Sequence, residues 1–108
     1  MIWKVYYTAD ADQDLQDIYD YIADVLLEPS TAVKQTTKIM DATDTLETMP
    51  FRYRLYDREP WQSKGLRVLP VDNYLVFYLP DESSNTVAVI RIMYGGRDVD
   101  KRLNKSKE

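Results

Sequence analysis

The chain has 108 residues, 44% of them hydrophobic, with nine Tyr and two Trp, which suits a single domain (1–108) around one core. It contains neither Cys nor His, so disulfides, thiolate chemistry and the commonest imidazole base or metal ligand are excluded. No apolar run approaches the roughly 18 residues of a membrane span and the first residues lack the form of a signal peptide, so a reducing cytoplasm is expected, with no membrane partner, metal or cofactor.

The formal net charge of −4 is uneven: residues 1–50 carry three Lys against ten acids, and residues 51–108 carry eleven bases against eight acids. Such asymmetry permits a basic face for phosphate or for an acidic partner within an acidic protein. A solvated surface of mixed sign is the plainer reading.

Residues 2–7 read as a short strand that joins a sheet. Thr8 follows as an N-cap, and Asp10, Asp12 and Asp14 favour a helix start electrostatically. A first helix is predicted from about Ala9 to Leu27, because Ala11, Leu15, Ile18, Ile22, Val25 and Leu26 recur at spacings of three and four. Asp17, Asp20 and Asp24 fall on its other side, with the spacing of a solvated face rather than of a metal site. Pro29 ends that helix. A second helix is predicted from Pro29 or Ser30 to Thr48, its stripe formed by Ala32, Thr36, Ile39, Met40, Thr43 and Leu46. The short link makes the pair an antiparallel αα-hairpin lying on a sheet.

Residues 49–62 read as a long connection containing Phe51-Arg52-Tyr53-Arg54-Leu55-Tyr56-Asp57-Arg58. Arg alternating with Tyr suits phosphate pairing and base stacking, which makes Arg52 and Arg54 candidate binding residues. Tyr53, Tyr56 and Trp61 equally suit anchors of the loop on a sheet edge.

Three strand-like runs follow, separated by Asp72-Asn73 and by residues 80–85. The first opens with Lys64-Gly65-Leu66-Arg67, in which Arg67 shares parity with Leu69 and Val71. The second, Tyr74 to Leu79, is apolar on both faces and is expected to be central. The third, Thr86 to Met93, alternates Val87, Val89, Arg91 and Met93 against Ala88, Ile90 and Ile92. Arg91 is thus one charge in an apolar strand, expected to be paired with an Asp or Glu, with a binding role as the alternative. Gly95-Gly96 ends the run and delivers Tyr94 and Arg97 to the end of the sheet. Residues 99–108 read as a basic tail or a short helix. The fold class is therefore α+β: strand, helical hairpin, then a three-stranded antiparallel meander, with the helices on one sheet face.

That order, with Asp14-Leu15-Gln16-Asp17-Ile18-Tyr19-Asp20-Tyr21-Ile22, Gly65-Leu66-Arg67, Val71-Asp72-Asn73-Tyr74-Leu75-Val76-Phe77-Tyr78 and Val89-Ile90-Arg91-Ile92-Met93-Tyr94-Gly95-Gly96-Arg97-Asp98, resembles the RelE/ParE superfamily of bacterial toxins. The resemblance covers most of the chain. It implies a small toxin neutralised by a cognate antitoxin, and it implies one of two targets. RelE-like members cut messenger RNA in the ribosomal A site with a basic patch, and ParE-like members poison DNA gyrase. For the ribonuclease, the resemblance implies Arg67, Tyr94 and Arg97 as catalytic residues, with Lys64 beside them; the candidate binding residues are Arg52, Arg54, Lys64, Arg67, Arg91 and Arg97, of which Arg52, Arg54 and Arg91 rest on the residue pattern described above. RelE-like enzymes usually carry an Arg directly after the Tyr of the third strand, where this chain has Leu75, and the two segments around Tyr74 and Tyr94 look more ParE-like. In either case an antitoxin segment, an amphipathic helix or an added strand bearing acids, is expected on the exposed sheet face and its edge.

Overall fold

The computed structural model describes residues 2–96 and 99–104. Strand β1 (Lys4–Tyr7) leads into helix α1 (Ala9–Asp20), whose start is fixed by Thr8: its Oγ1 accepts the Ala11 N–H at 3.2 Å. The expected helix over residues 9–27 does not stay α-helical. Tyr21–Val25 forms a π-helical turn in which the Leu26 N–H reaches back to the Tyr21 carbonyl at 3.0 Å. The wider turn rotates Val25 and Leu26 off the apolar stripe, leaving them 63% and 51% exposed while Ile22 stays buried. Leu27 then turns the chain with φ of 57°.

Helix α2 (Pro29–Asp44) carries Pro29 in its first turn, and buries Ala32, Thr36, Ile39 and Thr43. The Thr36 and Thr43 hydroxyls are satisfied by donating to the Ala32 and Ile39 carbonyls at 2.9 and 2.8 Å, so a polar pair can lie in an apolar stripe. The helix tightens into a 3-10 turn at Thr45–Glu47 and stops before Thr48.

The connection is more ordered than its sequence suggests. It holds a 3-10 turn at Pro50–Arg52, a bridge between Leu55 and Arg67, and one helical turn, α3 (Trp61–Lys64). Lys64-Gly65-Leu66 therefore does not open the second strand. Gly65 takes φ of 88°, its N–H bonds the Gln62 carbonyl at 3.0 Å, and the Leu66 N–H bonds the Trp61 carbonyl at 3.1 Å. Those two bonds close the turn as a Schellman cap, a left-handed geometry that favours Gly.

Strands β2 (Arg67–Val71), β3 (Tyr74–Asp81) and β4 (Thr86–Tyr94) form the meander, and β1 joins in parallel beside β4 to give the order β1-β4-β3-β2. The β3–β4 register shifts between Phe77, opposite Arg91, and Tyr78, opposite Val89, which leaves Ile90 as an extra residue. The bulge resets the alternation: Val87, Val89 and Ile92 face the helical hairpin with Leu69, Val71, Val76 and Tyr78. Ala88, Ile90 and Met93 face the other way.

That second face is covered too, which corrects the expectation of an exposed sheet face. Tyr56, Trp61, Leu66, and Leu103 from the short C-terminal helix α4 (Val99–Asn104) pack there on Val68, Phe77, Ala88, Ile90 and Met93. Trp61 Nε1 donates to Asn104 at 3.2 Å, the Tyr56 hydroxyl donates to Asp100, and Arg58 pairs with Asp100 at 3.2 Å. Tyr56 and Trp61 are thus anchors, as their residue types suggested.

Candidate functional site

The predicted residues divide into separate loci. The first is a cationic corner where Arg67 leaves α3 and enters β2. Arg67 Nη1 donates to the carbonyls of Phe51 and Tyr53 at 3.0 and 2.6 Å, and its guanidinium lies 5.1 Å from the centre of the Phe51 ring. Arg52 donates to the Thr48 carbonyl at 2.8 Å and to Thr45 Oγ1 at 2.9 Å, with its guanidinium 4.9 Å from the Tyr53 ring centre. Arg54 gives its carbonyl to the Val68 N–H and keeps its side chain exposed.

Phe51 packs edge-on against Trp3 at 5.6 Å. Beneath the corner the Tyr78 hydroxyl donates to the Pro50 carbonyl at 2.6 Å, and burial pushes its pKa up to about 12. Among the described residues, none of the Arg52, Arg54 and Arg67 guanidinium groups meets a carboxylate. Arg52 and Arg67 are held by neutral oxygens, so the corner keeps its positive charge beside the part-exposed Phe51 and Leu55. Such a corner can take a carboxylate or a phosphate with an apolar neighbour.

The second locus is Arg91. Its Nε and Nη2 bond the two oxygens of Asp14 at 2.7 and 2.8 Å, and the same carboxylate accepts the Ile92 N–H at 2.9 Å. Nη1 reaches the Arg102 carbonyl of α4 at 3.1 Å. The two side chains are 13% and 10% exposed, and the Asp14 hydrogen bonds raise the Arg91 pKa above its ordinary value. The pairing expected for Arg91 is present, and it ties α1 to the edge of β4 beyond the end of β1.

The third locus is Tyr94, 48% exposed and packed edge-on against Tyr74 at 5.8 Å. Both line a cleft of about 760 Å³ with Asp17, Tyr21, Leu26 and Arg102. Burial raises the Tyr74 phenol's pKa, and the neighbouring Tyr94 and Tyr21 phenols add to the rise. Lys64 stands apart on the other side of the sheet, its ammonium 4.8 Å from the Trp61 ring centre. Arg97 lies outside the described residues.

Arg67 and Tyr94 do not meet. Arg67 is paired with Tyr78 and Tyr94 with Tyr74, so they stand four residues apart along β3, about 13 Å, and on strands either side of it, two spacings or about 10 Å. Arg67 turns to the Phe51 and Tyr53 carbonyls and Tyr94 packs on Tyr74, so the two side chains do not converge on one site. Leu75, in the position where RelE-like enzymes carry Arg, packs at the margin of the second apolar cluster.

Residues 5–99 match the family described as the ParE toxin of the type II toxin–antitoxin system, parDE. The chain belongs to the ParE toxin family. Its fold is shared with the chromosomal ParDE toxin–antitoxin system from P. aeruginosa, at 22% identity and a TM-score of 0.70, over 86% of this chain and 96% of that one. It is shared as well with the toxin–antitoxin complex RelBE2 from Mycobacterium tuberculosis, at 21% identity and a TM-score of 0.61, over 87% and 99% of the two chains. No curated protein sequence matches the chain significantly. No described helix of this ParE-family toxin is long and apolar enough to cross a membrane.

Sequence reasoning missed Asp14 as the partner of Arg91 and the cleft beneath the π-helical turn. A lone acid within the apolar stripe of a helix was the available signal for the first. Nothing in the residue types marks a π turn.

Proposed function

We propose that this ParE-family toxin inhibits growth by binding DNA gyrase in the cytoplasm, without an active site of its own, and that a cognate antitoxin neutralises it. The observation that carries this reading is the separation of the candidate catalytic groups among the described residues. Arg91 is committed to Asp14, Arg67 is held by the Phe51 and Tyr53 carbonyls, and Tyr94 stands at the far end of the sheet from Arg67. Cleaving RNA at one phosphate needs groups that activate the nucleophile, stabilise charge and protonate the leaving oxygen within a few ångströms of each other. A docking surface needs only complementary charge and shape, and the corner of Arg52, Arg54 and Arg67 supplies both.

The test is a supercoiling assay with purified gyrase, run beside a ribosome-bound messenger cleavage assay. Inhibition of supercoiling with trapped cleaved DNA and intact message is the expected result. Replacing the exposed Arg54 by Glu is expected to weaken inhibition at least about tenfold while leaving the fold intact. Cut message with unimpaired gyrase would replace this reading with the RelE-like one, for which the Arg and aromatic residues of the same corner supply phosphate and base contacts. Inactivity in both assays would leave a toxin that acts only as a binding partner.

A further inference from the structure

Exposed apolar residues alternate with the cations of the corner along the chain. Met49 is 72% exposed, Phe51 42%, and Leu55, bridged to Arg67, 39%. Met49 also stands at φ of 49° and ψ of 55°, the left-handed region that Gly, Asn and Asp tolerate and other residues rarely enter. That bend opens the turn Pro50–Arg52: the Met49 carbonyl accepts the Arg52 N–H at 3.2 Å, and Arg52 Nη1 folds back to the Thr48 carbonyl at 2.8 Å. The turn calls for a left-handed residue at 49 but not for an apolar one, since the Met49 side chain lies mostly in water. Asn or Gly would make the same turn with less strain.

The cations beside these residues are short of acceptors. In Arg67, Nη1 donates to the Phe51 and Tyr53 carbonyls, while the buried Nε finds no partner. Among the described residues, Arg67 Nη2 and the exposed Arg54 guanidinium have no acceptor either. Arg52 is already engaged by Thr45 and Thr48. The corner therefore has donors for about one or two further oxyanions, not for a file of them. A polyanion is opposed as well by the exposed Asp41, Asp44 and Glu47 just ahead of the corner in the chain, and by the net charge of −4. Nucleic-acid affinity comes from neutralising a run of phosphates and from stacking bases on aromatic rings. Met49 and Leu55 offer no ring.

We infer that the corner takes an acidic segment of a protein surface, with an Asp or Glu carboxylate on Arg54 and Arg67 and a neighbouring apolar side chain against Met49, Phe51 and Leu55. The inference rests on the gyrase reading above: the segment belongs to gyrase itself and not to the DNA that gyrase holds. It adds Met49 to the three Arg residues as the apolar anchor of the contact. Met and Arg are both enriched at the centres of protein interfaces. The unbranched, polarisable Met side chain adapts to the surface it meets, and Arg holds a carboxylate with two donors. Water excluded by the apolar neighbours strengthens that charged hydrogen bond.

Binding of the toxin to purified gyrase, measured with and without duplex DNA, tests this. The wild type is expected to bind in the absence of DNA. Met49→Asn keeps the left-handed turn and removes the apolar side chain. It is expected to weaken binding at least about tenfold without lowering the thermal midpoint of the toxin. Met49→Leu restores an apolar side chain of similar volume and is expected to recover most of that loss. Met49→Asn that binds gyrase as well as wild type overturns the inference and leaves the gyrase reading standing. Binding that needs DNA, ignores Met49→Asn and falls with salt as steeply as several phosphate contacts require overturns it in favour of a nucleic-acid contact. A Met49→Asn defect confined to antitoxin binding overturns the choice of occupant. No binding of the wild type to gyrase under either condition overturns the gyrase reading and the inference with it. Should Met49→Asn lower the midpoint, Leu55→Ser is read in its place against the same outcomes.

Discussion

Replacing Asp14 by Ala removes a carboxylate that serves three donors at once. Arg91 Nε and Nη2 and the Ile92 N–H lose their acceptor, and the guanidinium, 13% exposed, loses both of its bonds to that carboxylate. Stranding one partner of a buried pair costs about 3–5 kcal/mol, a large part of the 5–15 kcal/mol that holds a typical domain. For a chain of this size, at roughly 4 °C or more per kcal/mol, the thermal midpoint should fall by at least about 12 °C. Urea unfolding followed by Trp fluorescence reads the change, since Trp61 sits in the second core and Trp3 beside the first. The slope of the transition should be unchanged, which assigns the loss to stability. The double variant Asp14→Leu with Arg91→Met removes both charges and should recover part of the loss. It still leaves the Ile92 N–H without a partner, so a cost of about 1–3 kcal/mol should remain. A loss under 1 kcal/mol for Asp14→Ala alone, or a double variant no more stable than the single one, would refute the argument that this pair clamps α1 to β4.

Leu103 is fully buried in α4 against the second sheet face, so Leu103→Ala is expected to cost about 2–5 kcal/mol by thermal unfolding. A negligible effect would mean that α4 does not seal that face in solution. At high pH the two buried phenols set a limit. The pKa of Tyr78 is raised chiefly by burial, and that of Tyr56 by burial and by Asp100, each to about 12. The neutral phenol belongs to the folded state, so this stabilisation is complete below about pH 10 and is lost as pH rises through 12. A shift of two units corresponds to roughly 3 kcal/mol for the fully buried Tyr78. The urea midpoint should therefore fall steeply between pH 10 and 12, and the double variant Tyr56→Phe with Tyr78→Phe should flatten that fall. An equal fall in wild type and variant would show that other groups govern alkaline unfolding.

Periodicity and punctuation in the sequence determined the element order, the helical hairpin and the meander, because burial demands a repeat of 3.6 in a helix and 2 in a strand. They also marked Arg91 as a residue that needed an acid, since a lone charge in an apolar strand cannot stay unpaired. The motifs around Gly65, Tyr74 and Tyr94 carried the resemblance to the toxin superfamily. Tertiary structure alone decided the rest. The π turn at Tyr21–Val25 and the bulge at Ile90 each insert one residue into a regular repeat, and a repeat read along the chain cannot register an insertion whose stabilisation comes from distant packing. Asp14 became the partner of Arg91 across 77 positions of sequence because α1 crosses the uncovered edge of β4. Pairing in the sheet likewise set Arg67 and Tyr94 at opposite ends. Closure of the β2 edge by residues 54–56 follows from main-chain hydrogen bonds between segments separated in sequence, which residue types do not encode locally.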